Sequence, residues 1–167
     1  WMEEVALSHF LEAYRLVTGE EFVDVEPSET PDFLARDSLG GTVGIELTQV
    51  KFPPSDISWR RIMGEEWADD FDAFWRILEL LHVKEKKLSK WPACARRLLV
   101  IQLADIPLAD LGANIATDPP TEHGFTEVWL ADFTMLDMFG GCDVHPIVHQ
   151  HLSGPFKVAS TDRKPYG

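Results

Sequence analysis

Between Glu3 and Val17, Ala6, Phe10, Ala13 and Val17 recur three or four positions apart, the spacing of one face of an amphipathic helix, and Gly19 suits its C-terminal stop. The period then changes. Glu21 to Val25 reads as a short strand. After the Pro27-Ser28-Glu29-Thr30-Pro31 loop, Asp32 to Arg36 and Thr42 to Val50 read as two more, joined through Ser38-Leu39-Gly40-Gly41 as a hairpin or meander. Pro53-Pro54-Ser55-Asp56 breaks the chain. From there to about Lys90, Trp67, Phe71, Phe74, Leu78, Leu81 and Leu88 keep helical spacing. Acid gathers at the front of this segment and base at its end, as the helix macrodipole favours. Gly64 is a point at which it kinks or divides, and Pro92 stops it. Leu98 to Leu103 is a continuous apolar run suited to a buried strand. A short helix near Leu108 to Ile115 and a strand around Glu127 to Ala131 follow. The remainder, rich in Gly, His and Pro, gives no assignable element.

This order predicts an α/β or α+β sandwich with a central mixed β-sheet flanked by helices. Hairpin-connected early strands pair antiparallel, whereas a strand reached by a helical crossover pairs parallel. With no repeat, low-complexity segment or linker, residues 1–167 read as a single domain, its core at about 3–105 and an elaboration at 106–167.

Composition narrows the function. No run approaches the ~20 apolar residues of a membrane span, and no secretory signal opens the chain. Cys94 and Cys142 are too few for a disulfide framework and lack the spacing of a zinc ribbon, so a reduced, cytoplasmic protein is expected. The net charge of -13 argues against a general nucleic-acid coat, whose affinity is mostly cation-driven. Yet of the 15 lysines and arginines, six (Lys84, Lys86, Lys87, Lys90, Arg96, Arg97) sit together, so the charge is polarised.

The chemistry concentrates between Pro31 and Val50. Asp32 stands near the start of one predicted strand and Glu46 inside the next, and two such carboxylates can meet around one hard cation. Magnesium takes oxygen ligands and keeps several waters, so one or two carboxylates plus a substrate phosphate suffice. The competing reading is structural: an Asp after Pro starts a strand or turn, and a lone strand Glu is solvated on an outer face.

Pro31-Asp32-Phe33, a Gly-rich turn, then Gly44-Ile45-Glu46-Leu47-Thr48 resembles the PD-(D/E)xK, or restriction-endonuclease-like, nuclease superfamily. The resemblance spans about Glu3 to Asp105. It implies a helix, three-strand meander, helix, strand (αβββαβ) core and hydrolysis of DNA or RNA phosphodiesters with Mg²⁺ or Mn²⁺. It makes Asp32, Glu46 and the main-chain carbonyl of Leu47 the metal ligands, with Glu4 assisting from the first helix, or Glu3 or Glu12 in its place. The chain departs from the pattern at Thr48, where the family has a lysine. A threonine hydroxyl can orient water but brings no positive charge. Lys84 or Lys87 supplies the missing charge if they prolong the stripe Ala73, Ile77, Leu80 toward the sheet; otherwise they form a basic helix end complementing the dipole. Gln49 is another substitute, although it alternates to the other face from Thr48. Without a substitute the fold becomes an inactive interaction module whose acidic surface suits a basic protein partner.

A second constellation is Cys142, Asp143, His145, His149 and His151. His145 and His149 share a face on a helix, whereas His149 and His151 share one on a strand, so a zinc-dependent hydrolase built here requires one geometry or the other. Polar packing is the alternative. The Gly-Gly pairs lack phosphate-loop spacing, and no serine lies in a nucleophile elbow.

Overall fold

The computed structural model describes residues 2–50, 70–105, 107–108, 111, 124–134, 141–156 and 158. Helix α1 (Met2–Thr18) leads into strands β1 (Val23–Pro27), β2 (Phe33–Arg36) and β3 (Thr42–Val50). Helix α2 (Asp70–Glu85) and a 3₁₀ turn (Leu88–Lys90) then precede β4 (Arg96–Leu103), β5 (Glu127–Asp132) and β6 (Asp143–Val148). The breaker at Pro53-Pro54, Gly64, Trp67 and most of the expected Leu108–Ile115 helix lie outside the described residues; Leu108 and Leu111 are helical and buried.

All six strands form one sheet in the order β1-β2-β3-β4-β5-β6. The first three make an antiparallel meander, β3-β4 and β4-β5 are parallel, and β6 returns antiparallel to β5. The mixed sheet follows from the connections, since a five-residue reverse allows only antiparallel pairing, while β3 reaches β4 through α2. The hairpin turn is set by Asp37, whose Oδ1 accepts the N–H groups of Leu39 (3.0 Å) and Gly41 (2.7 Å), with Gly40 at φ +80°. A side chain is disfavoured at that φ, and a Cβ on the next residue, Gly41, would meet Asp37 Oδ2 at 3.0 Å and Ala95 Cβ at 3.1 Å.

Among the described residues, α1 covers one face, and α2 with the helical Leu108 and Leu111 covers the other. Leu7, Phe10, Ala13 and Tyr14 of α1 pack on Phe33, Ala35, Val43, Ile45, Leu47, Leu98, Val100 and Trp129. Phe74, Ile77 and Leu81 of α2 pack on Val50, Leu99, Ile101, Leu103, Val128 and Leu130. With both faces covered, β4 and β5 read as unbroken apolar runs, as central parallel strands do. β1 is a different case: every residue is exposed, and its pairing is broken by a bulge between Val23 and Glu26. A bulged edge resists pairing with another chain. Among the described residues no helix is long and apolar enough to cross a membrane.

Candidate functional site

Strand parity decides which side chains can meet. On β3, Val43, Ile45 and Leu47 are buried on the α1 side, so Gly44, Glu46, Thr48 and Val50 face α2. On β2, Phe33 and Ala35 face α1, which turns Asp32 and Leu34 to the α2 side. Phe33 pairs with Ile45 and Leu34 with Gly44, so Asp32, one step beyond, lies across from Glu46. Its Oδ2 accepts the main-chain N–H of Leu47 at 2.8 Å. In the last turn of α2, Lys84 reaches down to the same face. Its Nζ stands 2.6 Å from Glu46 Oε1, with the two side chains only 16% and 12% exposed.

The neighbouring surface is shaped by a close approach. A Cβ on Gly44 would lie 2.8 Å from Trp91 Cζ3, 2.9 Å from Cε3 and 3.1 Å from Pro31 Cγ. The absence of a side chain at Gly44 lets the Trp91 ring cover the sheet one step from Glu46.

The donor set suits a hard cation better than zinc. Among the described residues no group of three or more His, Cys, Asp and Glu side chains could hold a metal. Two carboxylates and a main-chain carbonyl fall short of a closed protein cage, but magnesium asks for less, taking one or two carboxylates and completing its shell with water and phosphate. Within a strand, the N–H and C=O of one residue face the same edge. Leu47 therefore directs both groups to the β2 edge, where its N–H already meets Asp32.

The remaining expected residues distribute unevenly. Thr48 is half-buried, one alternation beyond Glu46 on the same face, while Gln49 is exposed. Lys87 does not join Lys84: α2 ends at Glu85, the helical stripe ends with it, and Lys87 is exposed at the start of the 3₁₀ turn. Glu4 is exposed in the first turn of α1, as are Glu3 and, further along, Glu12. That helix packs on the face opposite Glu46, so Glu4 is not brought to the carboxylates and its position fits a charge complementing the helix N-terminus.

The histidine cluster comes together only in part: the His149 and His151 rings lie 6.5 Å apart, but among the described residues no third ligand joins them. The segment forms a strand, on which His145 pairs with Leu130 of the α2-side core, whereas His149 stacks edge-on against Trp129 of the α1-side core. His145 and His149 thus lie on opposite faces. His145 is 6% exposed with its Nδ1 unpaired, and burial holds its pKa below the usual imidazole value. Cys142 is buried as well, and desolvation, then Asp143, pushes its thiol up to about 12.

Sequence reasoning missed a polar network on the α1 face. The carboxylate of Glu127, 6% exposed, accepts the Tyr14 hydroxyl (3.1 and 3.2 Å), the Trp129 indole N–H (2.8 Å) and the Arg96 guanidinium, which also donates to Tyr14 Oη and to Glu20 Oε1 (2.6 Å). Burial first and Glu127 second hold the Tyr14 hydroxyl far above its ordinary range. Burial alone would lower the Arg96 guanidinium, but its bonds to Glu20 and Glu127 outweigh that and raise it. The network floors a cavity of about 660 Å³, rimmed by Glu20, the Asp37–Leu39 turn and residues His149 to Leu152. Ser38, His149 and Glu127 all line it, but His149 accepts main-chain N–H groups on Nδ1 and turns Nε2 to Glu127, so no nitrogen is left to activate the serine. The only advance signal was an acid and a base on two adjacent apolar strands, 31 residues apart.

No family model, curated protein or solved structure matches this chain.

Proposed function

We propose that this chain is a divalent-metal-dependent nuclease with a restriction-endonuclease-like αβββαβ core, hydrolysing DNA or RNA phosphodiesters with Mg²⁺ or Mn²⁺. One observation carries the reading: a lysine from the helix after β3 contacts Glu46, supplying the cation that Thr48 lacks. The helix, meander, helix, strand order supports it.

Asp32, Glu46 and the Leu47 carbonyl would hold the ion, which when bound polarises a phosphoryl oxygen and acidifies a coordinated water. The Lys84 ammonium orients the attacking water and offsets negative charge developing in the transition state. The Thr48 hydroxyl gives that water a second hydrogen-bonding partner. Exposed Lys86, Lys87 and Lys90 follow Lys84 and offer cations to the phosphate backbone, against an overall charge of -13. Two free cysteines, one of them buried, support a reducing, cytoplasmic setting.

The acidic balance favours a second reading, an inactive nuclease-like module that binds a basic protein. Incubating supercoiled plasmid and single-stranded RNA with Mn²⁺ separates the two. Cleavage by the wild type, reduced by about 10²-fold or more in Glu46→Ala, supports the nuclease. Equal background in both proteins removes it and leaves the binding module.

A further inference from the structure

The turn after β6 is fastened to a side chain whose hydrogen-bonding sense reverses when it takes up a proton. His149 is 13% exposed, its ring 5.7 Å from that of Trp129 at an interplanar angle of 80°. Its Nδ1 accepts the main-chain N–H groups of His151 and Leu152, both at 3.1 Å. A nitrogen that accepts two N–H donors carries no proton, so these bonds assign the neutral ring's hydrogen to Nε2, which stands 3.8 Å from Glu127 Oε2. His149, Gln150, His151 and Leu152 form one rim of the cavity above the Tyr14, Arg96 and Glu127 network.

We propose that His149 is a proton-operated latch: neutral, it holds the 149–152 turn closed against the cavity, and protonated at Nδ1 it releases His151 and Leu152 and opens that rim. The step is a simple proton uptake. An Nδ1–H facing two N–H groups replaces two attractive contacts with two repulsive ones, and the imidazolium is drawn to Glu127 instead.

The groups around the ring set where this happens. Glu127 on β5 and Glu20 after α1 favour the proton, whereas Arg96 on β4 and His151 in the turn oppose it; the Tyr14 hydroxyl from α1 stays neutral. Burial is the largest influence and opposes the charge, holding His149 below the usual imidazole value. The latch is therefore closed at neutral pH and opens in acid.

The test uses ¹⁵N-labelled full chain, reading the His149 ring nitrogens and the hydrogen-exchange protection of the His151 and Leu152 amides at about pH 7.5 and about pH 5. His149→Asn is the control: a carboxamide oxygen replaces Nδ1 as acceptor but does not titrate. In the wild type, protection of both amides should fall by about 10-fold or more with the midpoint of ring protonation, and in His149→Asn it should hold. Unchanged protection over a protonated ring, separate midpoints, or an equal loss in the variant would overturn the proposal. Should His149→Asn not fold, the comparison of midpoints in the wild type still decides.

Discussion

The ammonium of Lys84, from the last turn of α2, lies 2.6 Å from the Glu46 carboxylate on β3, across 38 residues of sequence. This contact joins the helix to the one strand that carries the motif, and it sets a positive charge beside the proposed ligands. Lys84→Met leaves Glu46, 12% exposed, without its ammonium. We expect a stability loss of about 1–3 kcal/mol in urea titration and a cleavage rate lower by about 10²-fold or more. Loss of stability with full cleavage would reduce Lys84 to a structural role.

Gly44→Ala drives a methyl group to 2.8 Å from the Trp91 ring. Overpacking of this kind costs about 1–3 kcal/mol. In thermal unfolding, the double variant Gly44→Ala/Trp91→Leu should recover much of that loss. Purely additive effects would mean that the ring is not what excludes the side chain.

How much of this was legible in the sequence depended on where the apolar pattern carried information. The sequence pattern matches Thr42–Val50 at its observed bounds, and α1 within one residue at each end, because each alternates or repeats against a buried face. β1 was placed two residues early: Phe22 packs into the core beside Tyr14 at 5.0 Å, while the strand itself is wholly exposed and leaves no pattern. β6 is not legible because Pro146 and His145 read as loop. A proline is tolerated in a strand paired along one side, and among the described residues β6 pairs with β5 and otherwise only through a lone bridge from Val144 to Phe156. Asp32, Glu46 and Lys84 are legible in the sequence since motif and helical spacing are local. The Arg96–Glu127 pair is not, because only the parallel register of β4 and β5 brings it together.

That pair gives a third expectation. Glu127→Ala strips Arg96 of one of its two carboxylates and leaves the Tyr14 O–H and the Trp129 N–H without their acceptor. A loss of about 3 kcal/mol in chemical denaturation is expected. Mn²⁺ binding by the folded fraction should be unchanged, since Asp32 and Glu46 occupy the other face.

His145 makes stability fall in acid. Its pKa is lowered in the folded state from the ordinary 6.5 by burial, so the unfolded chain takes up the proton first. Its contribution is complete above 6.5 and is lost progressively as the pH drops below that value. His145→Leu should flatten the slope of unfolding free energy against pH in that range. An unchanged slope would show that the ring titrates equally in both states.

The central claim is that Asp32 and Glu46 jointly hold a divalent ion, and calorimetric titration of Mn²⁺ into wild type and into Asp32→Asn/Glu46→Gln tests it most directly. We expect about one ion per wild-type chain and no binding by the variant, with circular dichroism showing both proteins folded. No uptake by the wild type, or equal uptake by the two, would contradict the account.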